Sequence, residues 1–323
     1  MTDNLRTLLF DQAACRAQIV RLDKAWKTVV SHHNYPQPVL EILGHLVAAS
    51  ALLSASLKFE GSLILQIQGD GPVRLMVAEC TNELHVRATV KLAEDSLIAP
   101  DADFTSLLNG TGKGLCALIL DPKNRLPGQQ AYQGVVPLEG KNIAESLQAY
   151  MKSSEQLDTR LHLFANEETV SGVLIQQMPK DGGHAPENFD ADGWDRLIAL
   201  SATTTAEEML KLPMADMCYR LFTDMSPNIL AERTVEFQCT CSRKKVARML
   251  LGLGQTEVDA TLQEHPHITV HCDFCNSAYV FTEKQCQELF SNDQDLDPPD
   301  EELPEDANVV ADLSREGKPP TLH

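Results

Sequence analysis

SLILQIQGDGPVRLMVAEC, residues 62–80, decides the fold class. Two runs of alternating, β-branched-rich residues, Ser62–Gln68 and Val73–Cys80, flank Gly69-Asp70-Gly71-Pro72. Glycine supplies unusual φ and proline fixes it, so the four residues read as a turn between two strands. Leu84–Lys91 continues the pattern as a third strand. Strands that adjoin in sequence predict antiparallel meanders, hence α+β rather than a doubly wound parallel sheet.

Working outward, Pro38–Phe59 has apolar Leu40, Leu43, Val47 and Ala51 at helical spacing, with a Pro36-Gln37-Pro38 entry. Its uncharged run, Leu46–Leu57, falls short of the ~20 residues of a membrane span, so it predicts a buried helix. Leu115–Leu120 and Tyr132–Pro137 read as a strand pair around an Asp121–Gly128 loop. Asn142–Ser154 reads as a helix, and Arg160–Phe164 and Val170–Gln177 as strands. Residues 1–180 thus form a predicted mixed α/β domain with antiparallel sheets. A composition break at Pro179–Pro186 opens a predicted helical linker, 181–232, with helices at Phe189–Leu200, Ala206–Leu212 and Ala215–Asp224. Thr205 and Glu208 offer a capping box. The linker is rich in methionine, which packs irregular grooves or forms adaptable apolar surfaces.

The chain has 323 residues, 46 acids against 27 lysines and arginines, and a net charge of −19. Such a balance argues against a specific nucleic-acid partner, which needs a basic footprint. The N-terminal residues carry no secretory signal, and no membrane partner is expected. In a cytoplasmic chain, paired cysteines point to metal or redox chemistry rather than static disulfides.

Cys239-Thr240-Cys241 and Cys272-Asp273-Phe274-Cys275 supply four thiols, the number a closed tetrahedral Zn²⁺ site takes. A helix from Ser242 to Leu251, a stop at Gly252/Gly254, a helix near Thr256–Glu264 and a strand at Ile268–Val270 return the second pair beside the first. Thr282 and Gln285 offer a cap for a final helix. His271 is the main substitute ligand. The predicted zinc domain, 233–290, is small enough for its metal to dominate its stability. Arg243, Lys244, Lys245 and Arg248 follow the first pair, either compensating thiolate charge or forming a solvated or nucleic-acid-facing surface. Residues 291–323 hold ten acids and two bases and read as an acidic disordered tail. Gly110-Thr111-Gly112-Lys113-Gly114 departs from the phosphate-loop spacing. No common hydrolase motif is present, and no enzyme activity is expected.

The stretches Phe237–Arg243 and His271–Cys275 resemble the zinc motif of the heat-shock protein thirty-three family, redox-regulated holdase chaperones of the bacterial cytoplasm. Tyr35–Val39, Leu57–Phe59, Gln68–Pro72, Tyr132–Val136 and Ser154–Leu157 resemble it too, so that the likeness spans about residues 5–290. It implies one Zn²⁺ per chain, held in the reduced, inactive form by Cys239, Cys241, Cys272 and Cys275. It further implies that oxidation forms disulfides within Cys239/Cys241 and Cys272/Cys275, releases the metal and unfolds the linker. The activated form is then a homodimer that holds unfolding client proteins without ATP. The expected client-binding residues are Trp194, Leu197, Met209, Leu210, Met214, Met217, Leu221 and Phe222. Cys15, Cys80, Cys116, Cys218 and Cys286 match no functional position. A zinc-ribbon binding protein with permanent zinc and a thiol oxidoreductase are the rival readings.

Overall fold

A computed structural model describes residues 3–124, 130–178 and 189–291. They divide into two compact units, the first ending at Gln238 and the second beginning at Cys239. The expected break at 179–186 and the acidic tail lie outside the described residues, apart from Ser291.

In the first unit, β1 (Asn4–Phe10) and β2 (Cys15–Leu22) form a hairpin, followed by α1 (Lys24–Ser31) and α2 (Gln37–Ser56). Then come β3 (Gly61–Gln68), β4 (Val73–Thr81), β5 (His85–Leu92), α3 (Phe104–Leu108), β6 (Leu115–Pro122) and β7 (Tyr132–Pro137). α4 (Ile143–Ser153) leads to the hairpin of β8 (Thr159–Ala165) and β9 (Val170–Gln177). Three short helices follow: α5 (Gly193–Ser201), α6 (Ala206–Lys211) and α7 (Met214–Phe222). β10 (Asn228–Thr234) and β11 (Glu236–Phe237) complete the unit.

The meander read from residues 62–91 is present. β3 pairs antiparallel with β4, from Ser62↔Thr81 to Gln68↔Leu75, and β4 with β5. It forms the middle of a six-stranded sheet ordered β11-β5-β4-β3-β6-β7, in which β11 runs parallel to β5. The second sheet is antiparallel throughout, ordered β10-β1-β2-β9-β8.

α2 packs against strands of both sheets, and its side chains are buried almost all round. Its 20 residues are long and apolar enough to cross a membrane by length and composition, yet protein covers most of the segment. A helix apolar on every face is what a position between two sheets requires. Gly44 permits the close approach: a Cβ there would lie 2.5 Å from Ala165 Cβ.

The structure corrects the sequence reading in two places. Periodicity assigns no element before Pro36, whereas β1, β2 and α1 lie there. Gln18 and Arg21 are buried within β2, which breaks the apolar pattern. The helical reading of 181–232 misses β10, an exposed edge strand whose polar residues show no period. The Gly110–Gly114 loop wraps a carboxylate of the chain itself: Asp70 Oδ2 accepts hydrogen bonds from Thr111 N (3.1 Å), Thr111 Oγ1 and Lys113 N (2.8 Å).

The second unit contains α8 (Arg243–Leu253), α9 (Gln255–Glu264), the hairpin β12 (His267–His271) and β13 (Ala278–Thr282), and α10 (Glu283–Ser291). Its small core comprises Val246, Ala247, Leu250, Val258, Ile268, Phe281, Cys286 and Leu289. Gly254, at φ +92°, ends α8, whereas Gly252 lies inside it. Thr282 and Gln285 form the expected reciprocal cap: Thr282 N donates to Gln285 Oε1 (3.0 Å) and Gln285 N to Thr282 Oγ1 (3.4 Å).

Candidate metal centre

Cys239 and Cys241 lie on the irregular run ahead of α8, where Ser242 caps the helix by accepting from Lys245 N. Lys245 Nζ reaches back and donates to Thr240 O at 2.7 Å and Thr240 Oγ1 at 3.1 Å, fixing the bend between the two cysteines. Cys272 and Cys275 lie on the turn joining β12 to β13. Cys272 N donates to Ser277 O (3.0 Å) and Asn276 N to Cys272 O (2.8 Å). Asn276 has φ +55°, a left-handed conformation that asparagine tolerates better than most residues. The turn therefore curls both sulfurs to one side.

All four Sγ atoms lie within 4.8 Å of one another. Cys239 Sγ is 3.6 Å from Cys272 Sγ, and Cys241 Sγ is 3.4 Å from Cys275 Sγ. A Zn–S bond of ~2.3 Å gives a tetrahedron with edges of about 3.8 Å, comparable to these two separations. The four thiols fit a tetrahedral ion in number, chemistry and spacing.

The surroundings favour ionised sulfur unevenly. Burial would raise the Cys275 thiol, but hydrogen bonds with the Ser277 side chain and backbone, and with Cys241 and Cys239, bring it down to about 7. Burial raises Cys272, opposed by the backbone N–H groups of Cys275 and Phe274. Burial also raises Cys241, opposed by the Tyr279 hydroxyl, which donates to its sulfur at 3.0 Å. Without a cation the cluster cannot hold four negative charges at these distances; a divalent ion supplies the compensation.

Sequence reasoning missed Tyr279 and Ser277. Their signal was alternation along the strand after Cys275, which turns positions 277 and 279 to one side. The basic run divides differently from the expectation. Arg243 braces the fold, donating to Val280 O and Gln285 Oε1 (both 2.8 Å) with its guanidinium 4.2 Å from the centre of the Phe281 ring. Arg248 is exposed, and so is His271, which stands outside the thiol cluster.

The residues expected to bind clients gather elsewhere. Leu197, Met209, Met214, Met217, Leu221 and Phe222 are buried against Leu8, Phe10, Ala13, Cys15, Ala17, Ile19, Val173 and Ile175 on the five-stranded sheet. Trp194 packs at the margin, half-buried. Leu210 is half-buried and does not join this cluster. The rings of Phe10 and Phe222 meet edge-on at 5.2 Å. The other five cysteines are buried, and burial raises their thiols: Cys15 and Cys286 to about 11, Cys80 and Cys116 to about 12, and Cys218 likewise upward. Cys275, brought down to about 7, therefore ionises more readily than any of these five.

Fold and site define a mixed α+β protein with antiparallel sheets and a four-thiol centre suited to a metal ion. The pattern described as "Hsp33 protein" matches residues 3–282, and the chain belongs to the Hsp33 family. It is 40% identical to the 33 kDa chaperonin of Methylobacillus flagellatus, over 91% of this chain and 96% of that protein. The 33 kDa chaperonin of Chromobacterium violaceum is 43% identical, over 90% of this chain and 95% of its own length. The crystal structure of the 33 kDa chaperonin (heat shock protein 33 homolog) from Thermotoga maritima, 22% identical, shares the fold with a TM-score of 0.74. It covers 90% of this chain and 98% of its own. Family and thiol cluster together support a chaperone.

Proposed function

We propose that the protein is a redox-regulated, ATP-independent holdase of the cytoplasm, silent while its four thiolates hold Zn²⁺ and active once they are oxidised. The observation that carries this reading is the convergence of Cys239, Cys241, Cys272 and Cys275 within 4.8 Å. Bound Zn²⁺ would supply a structural cross-link with no open coordination position. Oxidation removes electrons from the sulfurs: four thiolates give four electrons to two molecules of peroxide, two S–S bonds form, and four protons are taken up to yield four waters. The disulfide sulfurs no longer bind the cation. The small unit then loses roughly 10–16 kcal/mol of apparent folding energy, as much as the net stability of a typical domain.

The client surface follows from the helical segment 189–229. Helices of 9, 6 and 9 residues are marginal by themselves, so α5, α6 and α7 depend on the sheet beneath them. Release of this segment would uncover Leu197, Met209, Met214, Met217, Leu221, Phe222 and the margin at Trp194 and Leu210. The sheet face they cover would open as well, and apolar area of that extent binds unfolding proteins. Homodimerisation on activation belongs to the same reading.

Hydrogen exchange of residues 189–229 before and after peroxide tests it. Protection should collapse there in the form that prevents client aggregation; unchanged protection in an active form refutes the mechanism. Peptide mapping distinguishes the expected Cys239/Cys241 and Cys272/Cys275 bonds from the pairs whose sulfurs are nearest in the reduced cluster, 239 with 272 and 241 with 275.

A further inference from the structure

α6 stops at Lys211, and the chain is extended at Leu212 and Pro213 before α7 begins. A helix end leaves its last carbonyls without backbone donors. Pro213 has no N–H to offer Met209 O, the carbonyl four residues before it. Met209 is 1% exposed, so water does not serve it readily either.

The missing donor comes from the sheet. Arg21 of β2 points its guanidinium at the end of α6, and Nη1 donates to Met209 O at 3.3 Å and to Leu212 O at 3.1 Å. Nε and Nη2 donate to the Asp23 carboxylate at 3.3 and 3.1 Å, and Asp23 Oδ1 also accepts from Thr169 Oγ1 at 2.7 Å. Arg21 is 5% exposed and Asp23 9%.

A buried guanidinium is tolerated when its donors are used and its charge is paired. Here the helical segment supplies two of the acceptors and much of the cover. Departure of the segment frees those donors to water and relieves the guanidinium's desolvation. The contact therefore fixes where α6 docks, and its opening exposes polar groups, unlike purely apolar burial, where every step of opening exposes hydrocarbon.

The geometry points to Arg21 as a latch: a positioning residue that caps α6 from the neighbouring sheet and sets how firmly the Met-rich segment stays down. The latch is a property of the docked state; only its consequence for client holding rests on the holdase reading.

The test uses the full-length reduced chain as Arg21→Met, Arg21→Lys and the surface control Lys211→Met, whose ammonium pairs with Glu207 in solvent. Hydrogen exchange is read in 206–222 and in β3 and β4. Arg21→Met should raise exchange in 206–222 at least about tenfold, given what bonds to a charged donor contribute. β3 and β4 should keep wild-type protection. Arg21→Lys should fall between, because an ammonium keeps the charge but lacks the fork that reaches two carbonyls and a carboxylate together. Lys211→Met should match wild type. Unchanged exchange in 206–222, or equal loss of protection in β3 and β4, overturns the latch, and so does wild-type behaviour of Arg21→Lys. Suppression of client aggregation is measured alongside. A segment that loosens while client holding stays silent leaves the latch standing and refutes the holdase reading.

Discussion

Among the nine cysteines, environment separates two populations. Five are buried apart from one another, while the four at the candidate centre are half-buried together and share backbone donors, a tyrosine hydroxyl and a serine. Cys272→Ser removes one of four sulfurs from a unit whose core is about eight side chains. Metal content, read by atomic absorption, should fall well below one per chain. Protection of β12 and β13 should disappear while β3 and β4 keep theirs. A metal-loaded, ordered second unit in that variant would contradict the assignment. A different residue contributes to acid sensitivity. Burial pushes His45 on α2 down to about 4, so the ring is neutral in the folded protein at pH 7. As pH falls, the unfolded chain takes up this proton near 6.5, before the folded one does. Stability is complete above about 6.5 and is lost progressively down to about 4, by no more than ~3 kcal/mol. Urea unfolding against pH should show a steeper slope in wild type than in His45→Leu, which keeps the smaller contribution of His162, also lowered by burial.

Among elements, α7 is the keystone of the docked segment. Phe222 is fully buried at its end against Phe10, on the face shared with Met217 and Leu221. Truncating a buried phenylalanine costs about 3–5 kcal/mol. Phe222→Ala should therefore let 193–225 exchange freely without oxidant and lower the peroxide dose needed to suppress aggregation. Exchange and dose response equal to wild type would show that the segment does not regulate client binding. Helices α5–α7 were legible because capping residues and apolar spacing are local signals, as at Thr205 and Glu208. β10 was not legible, because an edge strand with one partner needs no periodic apolar face. β1 and β2 were hidden for the opposite reason: β2 buries both faces and carries Gln18 and Arg21 inside.

At the scale of the molecule, the convergence of the four thiols was readable from C-x-C and C-x-x-C spacing, and its polar supports were not. Thiol ligands are identified by residue type, whereas Tyr279, Ser277 and Lys245 act through positions that only folding fixes. The docked segment was foreseeable as an apolar surface, but Arg21, its polar anchor, lies 188 residues from Met209 in sequence. Between α7 and Cys239 the chain adds β10 to one sheet and β11 to the other. Along the chain, these two strands thus separate the helical segment from the first thiol pair.

In the proposed switch, oxidation of four cysteines uncovers a client-binding surface. The most direct measurement titrates the reduced, zinc-loaded chain with peroxide and follows metal release with a chromogenic chelator. Suppression of aggregation of a thermally unfolding client is recorded on the same samples. Both should rise over the same range of oxidant, reaching one metal per chain as holding saturates. Complete metal release with no suppression of aggregation would contradict it.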